Sequence, residues 1–274
     1  MGRQSVMGTS LSEFLSQEIP PVVPLIEGVF PGAGNGFIGG ESKHGKTFYA
    51  LEEALGLAFG FPVCGVFTVP TPKRVLFIEE EDSPVRVKAR ITAMLAAHHI
   101  SAAAMRNQSR FRPVVGEGFC IDDEDRVEHL QRTLKEFKPD VVYLDPLFKL
   151  TRKYLSNGKS MTEILATLDR LRKGYGPVFR VIHHFRKISA GAKRGTGAQE
   201  LAGSFALSAW AEQSLFFDDP VQSHDLAYVR VQSKDAPNGM EFRFGLKTKG
   251  PQDAPTSIAA TATVGRKKRE FDDL

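Results

Sequence analysis

The chain has 274 residues, 42% hydrophobic and 25% charged, the balance of an ordinary globular protein with a sizeable core. No apolar run approaches the about 18 residues of a membrane span, and the opening MGRQSVMGTSLSEF lacks the apolar stretch of a secretory signal. Lys and Arg outnumber Asp and Glu by 36 to 32, an excess that permits nucleic-acid binding without demanding it; the two distant cysteines, Cys64 and Cys120, argue against a disulfide framework or zinc site and for a reducing cytoplasm.

Residues 1–30 join a short helical stretch, Leu11 to Gln17, to the proline-rich IPPVVPLIEGVFP, and are expected to form an N-terminal arm packed on a core. From residue 31 to 250 strand and helix signals alternate. Phe37-Ile38-Gly39 reads as a buried strand and Lys46 to about Gly60 as a helix. Arg74–Ile78 is a second strand, ending in Glu79-Glu80-Glu81-Asp82. Ser83 offers an N-cap with Pro84 in the first turn, and Val87, Ile91, Met94 and Leu95 share one face. Arg110–Ile121 reads as irregular or as a short strand pair. A helix follows the acids Asp122 to Asp125, with Val127, Leu130, Leu134 and Phe137 on one side. Val141–Leu144 is a third strand, closing on Asp145. Ser160 and Glu163 form a capping box before Ile164, Leu165, Leu168 and Leu171. Val178–Ile182 is a fourth strand, closing on His183-His184. A basic glycine-rich loop and a small-residue helix over Gly197–Ala209 lead to strands at Ser214–Phe217, Leu226–Gln232 and Glu241–Lys247. This alternation predicts an α/β fold, a mainly parallel central sheet flanked by helices. Residues 251–274 show no period and end in Arg266-Lys267-Lys268-Arg269 and an acidic tip; they are expected to be a disordered tail, with docking on a protein partner or on DNA as a second reading.

The chemistry concentrates at Gly40-Glu41-Ser42-Lys43-His44-Gly45-Lys46-Thr47, a full G-x4-G-K-[ST] match set between a strand and a helix and followed by Phe48. Amide hydrogens of such a loop converge on phosphate oxygens at a helix N-terminus. Lys46 would reach the β- and γ-phosphates of ATP, and the Thr47 hydroxyl would ligate Mg2+. Asp145, a strand-terminal acid, supplies a second metal-side group. Among the acids after the second strand, Glu81 is favoured to orient the attacking water, with Glu79 next because alternate strand residues share a side.

GFIGGESKHGKT, KRVLFIEEEDSP, KPDVVYLDPLFKL and VFRVIHHFRK, in this order and spacing, resemble the RepA-type hexameric ATPases of the RecA-like superfamily. LAGSFALSAWAEQSLFF is similar to that family's segment before its late strands, so the likeness runs from about Leu11 to Lys247. The resemblance implies a RecA-like P-loop core with late antiparallel strands and a homo-oligomeric, hexameric ring. It implies Glu81 as catalytic glutamate and His184, with His183 beside it, as sensor of the γ-phosphate. Lys187, Lys193 and Arg194 fall where such rings line a central channel, and there they would meet single-stranded DNA. Two departures stand out. Lys43-His44 is bulkier than the small residues common in the loop, and the late K-x-R pair is replaced by Ser233-Lys234-Asp235-Ala236, leaving Lys234 alone to reach a neighbouring subunit.

The function expected is Mg-dependent ATP hydrolysis driving a DNA helicase or translocase in replication. The alternative is an ATP-gated regulatory or assembly protein that binds DNA or protein partners without unwinding. A small-molecule kinase is disfavoured because no arginine-bearing lid is evident.

Overall fold

The computed structural model describes residues 8–155, 158–184, 204–220, 222, 224–234, 239–251 and 254–265. The helices are α1 (Leu11–Leu15), α2 (Lys46–Phe59), α3 (Pro84–Ala97), α4 (Ala102–Arg106), α5 (Glu124–Phe137), α6 (Gly158–Tyr175) and α7 (Ser204–Trp210). The strands are β1 (Gly36–Gly40), β2 (Val75–Glu79), β3 (Phe111–Val115), β4 (Val141–Asp145), β5 (Val178–His184), β6 (Gln213–Asp218), β7 (Ala227–Ser233), β8 (Glu241–Lys249) and β9 (Ser257–Val264).

All nine strands share one sheet in the order β3-β2-β4-β5-β1-β6-β7-β8-β9. From β3 to β6 the pairings are parallel. From β6 to β9 they are antiparallel. The expected α/β core with late antiparallel strands is therefore present. Strands β1, β2 and β4 are buried along their whole length because helices cover both faces. Leu51, Leu55 and Ala58 of α2 and Met94 of α3 pack on one face with Leu25, Ile26, Val29 and Phe30. Val127, Leu134, Ile164, Leu168 and Leu207 from α5, α6 and α7 fill the other.

Local signals placed most helix ends. Ser83 accepts from Arg86 N ahead of Pro84, and Asp123 accepts from Arg126 N with Glu124 and Asp125 in the first turn of α5. Four expectations need correction. The capping box at Ser160 does not form: α6 already runs from Gly158, and Glu163 instead takes Lys153 Nζ at 2.6 Å. Residues 110–121 hold a single strand, β3, not a pair. It tolerates Pro113 because it lies at the sheet edge, where a missing N–H need not leave a ladder bond unmade. The segment read as a tail contains β9, paired with β8 from Phe242↔Val264 to Lys249↔Ser257. Its alternation was low in contrast, Ile258 and Ala260 turning to the core between Ala and Thr neighbours, so no period stood out. Among the described residues of the arm only Leu25–Phe30 packs on the core, while Leu11, Phe14, Leu15, Ile19, Val22 and Val23 are exposed. Most of the small-residue helix expected at Gly197–Ala209 lies outside the described residues; α7 represents its end.

Candidate functional site

In a parallel sheet the carboxyl ends of the strands lie at one edge. Register brings the four central ends together: Glu79 opposite Asp145 on β2 and β4, Leu144 opposite Val181 on β4 and β5, and Gly40 opposite His184 on β1 and β5. The loop 41–45 leaves β1 at this edge and feeds α2.

Glycine is required twice here. A Cβ on Gly40 would sit 2.7 Å from both Cβ and the carbonyl oxygen of Phe217, so β1 can approach β6 only without a side chain. Gly45 has φ +77° and would thrust a Cβ to 2.8 Å from the Phe244 ring. Lys43 is also left-handed, with φ 72°. The N-terminus of α2 carries no side-chain cap, which leaves its first amides to an outside acceptor.

Lys46 is 5% exposed and donates to its own loop, Nζ to the Glu41 carbonyl at 2.6 Å. Burial pulls its ammonium down to about 8, against the opposing pull of Asp145 and Glu81. It therefore still carries most of its charge at neutral pH. Asp145 is 1% exposed. Burial pushes its carboxyl up to about 7; the Thr47 hydroxyl opposes this, Glu79 adds to it, Lys46 opposes it and Glu81 adds to it. Thr47 is thus near enough to act on the carboxylate, yet neither Asp145 oxygen completes a hydrogen bond. Two buried oxygens without a bonded hydrogen, beside a hydroxyl, fit a hard cation such as Mg2+. Asp145 and Thr47 could hold it.

The four acids from the last residue of β2 onward have four different surroundings. Glu79 is buried, and its Oε1 accepts from the amides of Glu81 and Asp82, both at 2.8 Å. Burial raises its carboxyl even against those bonds. Glu80 accepts from Gly118 N at 3.0 Å and Phe119 N at 2.9 Å, tying the turn to the β3–α5 connection. Asp82 pairs with Arg86 and Arg90, and Arg90 in turn lies 4.9 Å over the Phe48 ring. Only Glu81 combines an exposed side chain with closeness to Lys46. A carboxylate that reaches solvent beside the phosphate loop, on a backbone clamped by Glu79, can hold a water. The role of Glu79 as clamp was missed; its place at the last position of a buried strand was the available signal.

His184 is half-buried, with the Phe148 ring edge-on at 5.0 Å. Burial, then Lys46, then His183 lower its pKa to about 4. The imidazole is therefore neutral at physiological pH and can donate one hydrogen bond to a phosphate oxygen. In nucleotide-free protein the His184 ring signals are expected to titrate near 4 by NMR, well below the about 6.5 of an unperturbed histidine. The sign follows from linkage: between these values the unfolded chain binds more protons, so this contribution is intact above about 6.5 and lost as pH falls toward 4. A midpoint near 6.5 would contradict the burial assigned to the ring.

Not every expected residue joins this edge. Lys187, Lys193 and Arg194 lie outside the described residues. Lys234, expected to reach a neighbour, donates to the Ala209 carbonyl at 3.0 Å and pairs with Glu212 at 3.2 Å. It follows β7, whose Ser233 pairs with Gln213 at the start of β6, so it sits at the opposite edge of the sheet from the phosphate loop. A groove of about 510 Å3 between α5 and α6 is lined by four acids, Asp122, Glu124, Glu128 and Glu163, against two cations, Lys153 and Arg170, an excess of negative charge that does not favour a triphosphate. Among the described residues no helix is long and apolar enough to cross a membrane.

A family model described as an AAA domain matches residues 3–190. No curated protein matches the chain.

Proposed function

The chain belongs to the AAA domain family and is an ATPase of that kind; on that premise we propose that it hydrolyses Mg-bound ATP as a RepA-like ring motor in the cytoplasm, moving along single-stranded DNA. The observation that carries the hydrolytic part is the meeting of Lys46, Asp145, Glu81 and His184 at four adjacent strand ends. Loop amides and Lys46 bind the phosphates, Lys46 giving up the Glu41 carbonyl to do so. Bound Mg2+, held by Thr47 and Asp145, would neutralise charge on the β- and γ-phosphate oxygens. Glu81 orients a water for attack on the γ-phosphorus; the bond to the β-phosphate oxygen breaks and ADP leaves. His184 donates to the γ-phosphate while that group is present. The DNA part rests on the order and spacing of the RepA-type motifs and on the basic loop of Lys187, Lys193 and Arg194.

A second reading, an ATP-gated assembly or regulatory protein, is favoured by one observation: Lys234 is engaged inside its own subunit, and no arginine accompanies it. Turnover and strand displacement separate the two. The motor reading expects a single-stranded oligonucleotide to raise turnover, and ATP to drive displacement from a part-duplex. Glu81→Gln should cut turnover by about 10²–10⁴-fold while nucleotide binding persists. An assembled ring whose turnover ignores DNA and which displaces no strand would sink the motor and leave the assembly reading.

A further inference from the structure

We propose that Glu41 and His44 of the phosphate loop, with Asp219 after β6, form a binding site for a borderline transition cation of the Zn2+ class, separate from the Asp145–Thr47 position. One ligand atom from each of the three lies within 4.8 Å of the other two. The His44 side chain is 13% exposed and that of Asp219, just past the end of β6, is 74% exposed, so the site is anchored on one side and open to solvent on the other.

The orientation of His44 is what selects a metal. Its Nδ1 lies 3.4 Å from the Phe217 carbonyl oxygen. A carbonyl can only accept, so Nδ1 carries the hydrogen, which leaves Nε2 as the atom whose lone pair can meet a metal when the ring is neutral. That atom faces Asp219 Oδ1 at 3.5 Å. A backbone carbonyl holding the far nitrogen is the outer support that metal-ligating histidines commonly have. One imidazole with two carboxylates suits Zn2+, Co2+ or Ni2+, whereas Mg2+ takes oxygen ligands alone. Three protein ligands leave the fourth tetrahedral position to water. Ligands about 2.0 Å from a tetrahedral zinc lie about 3.3 Å apart; His44 and Asp219 already stand near that spacing at 3.5 Å, and the widest separation, at most 4.8 Å, would have to close by no more than about 1.5 Å. The competing account of the same distances is a protonated His44 paired with Asp219 and no metal at all.

Co2+ titrated into the full chain in excess Mg2+, read by the visible absorption of protein-bound Co2+, decides between them. A stoichiometric band displaced by Zn2+ is expected, at least about tenfold weaker in affinity in Asp219→Asn and absent in His44→Ala. Asp219→Asn should still bind a fluorescent ATP analogue, which checks its fold. Absence of a stoichiometric band in the unmodified protein, or a band of unchanged affinity in both variants, would overturn the site, and the first of these needs no variant to fold.

Discussion

Replacing Lys46 by alanine is expected to lower ATP turnover by about two to three orders of magnitude, the usual cost of removing one charge donor aimed at a developing oxyanion. Nucleotide affinity should fall with it, since the ammonium meets the phosphates in the ground state as well. The environment makes the effect large. Lys46 is almost wholly buried, so the charge it offers is poorly screened, and only Asp145 and Glu81 keep it protonated against burial. Its loss has a second consequence at Asp145. With Lys46 gone, burial, Glu79 and Glu81 push that carboxyl further up, and a protonated Asp145 cannot hold a cation. Lys46→Ala should therefore also need more Mg2+ to bind nucleotide. Steady-state turnover together with equilibrium binding of a fluorescent ATP analogue at several Mg2+ concentrations tests this. Unchanged affinity and turnover would remove the phosphate-binding role from the loop.

The largest stability effect is expected away from that edge, at Arg180. This residue is 0% exposed in the middle of β5. Its guanidinium grips Glu53 of α2 through Nε at 3.0 Å and Nη2 at 2.6 Å, and reaches Gln213 Oε1 at 2.9 Å. Phe30 of the arm lies beneath it, 4.2 Å from ring centroid to guanidinium carbon. Tyr143 donates to Glu53 Oε2 at 3.3 Å, its hydroxyl proton held on by burial and by the Glu53 charge. The cluster joins α2, β4, β5, β6 and the arm toward the end of the sheet away from the phosphate loop, Arg180 lying opposite Gly36 at the start of β1. Arg180→Met leaves Glu53 charged and buried without its main partner, and should destabilise by about 3–5 kcal/mol. The double variant Arg180→Met with Glu53→Leu removes both charges and should recover much of that loss, because a matched apolar pair does not carry the desolvation penalty. Urea denaturation of the parent and the two variants measures both steps. A single variant within about 1 kcal/mol of the parent, the size of an exposed pair, would show that Glu53 finds another partner or a proton.

Some of this could be read from residues in order and some could not. The phosphate loop, the strand-terminal Asp145 and the Glu81 turn were legible as candidates because each is a local pattern, glycines at set spacing or a buried run that stops on an acid, whereas the role expected of His184 came from the family resemblance. The residues alone favoured Glu81, with Glu79 next. Their surroundings differ in the structure: the buried Glu79 carboxylate accepts from two backbone amides, while Glu81 remains at the surface. β9 was missed because alanine and threonine differ too little in hydrophobicity to mark an alternation, although pairing with β8 decides that they do alternate. The false capping box at Ser160 met a local rule that the surrounding chain overrode, with Lys153 drawing Glu163 away.

The amino-acid sequence by itself determined the α/β alternation and the residues presented at the strand ends, because backbone periodicity and turn chemistry act over a few neighbouring residues. Tertiary structure alone decided the strand order that gathers Gly40, Asp145, Glu79 and His184 at one edge. It alone placed Lys234 at the other edge, closed Arg180 on Glu53 and turned His44 toward Asp219. Those are contacts between residues far apart in the chain, and their energies depend on burial and distance, quantities that exist only once the sheet has assembled.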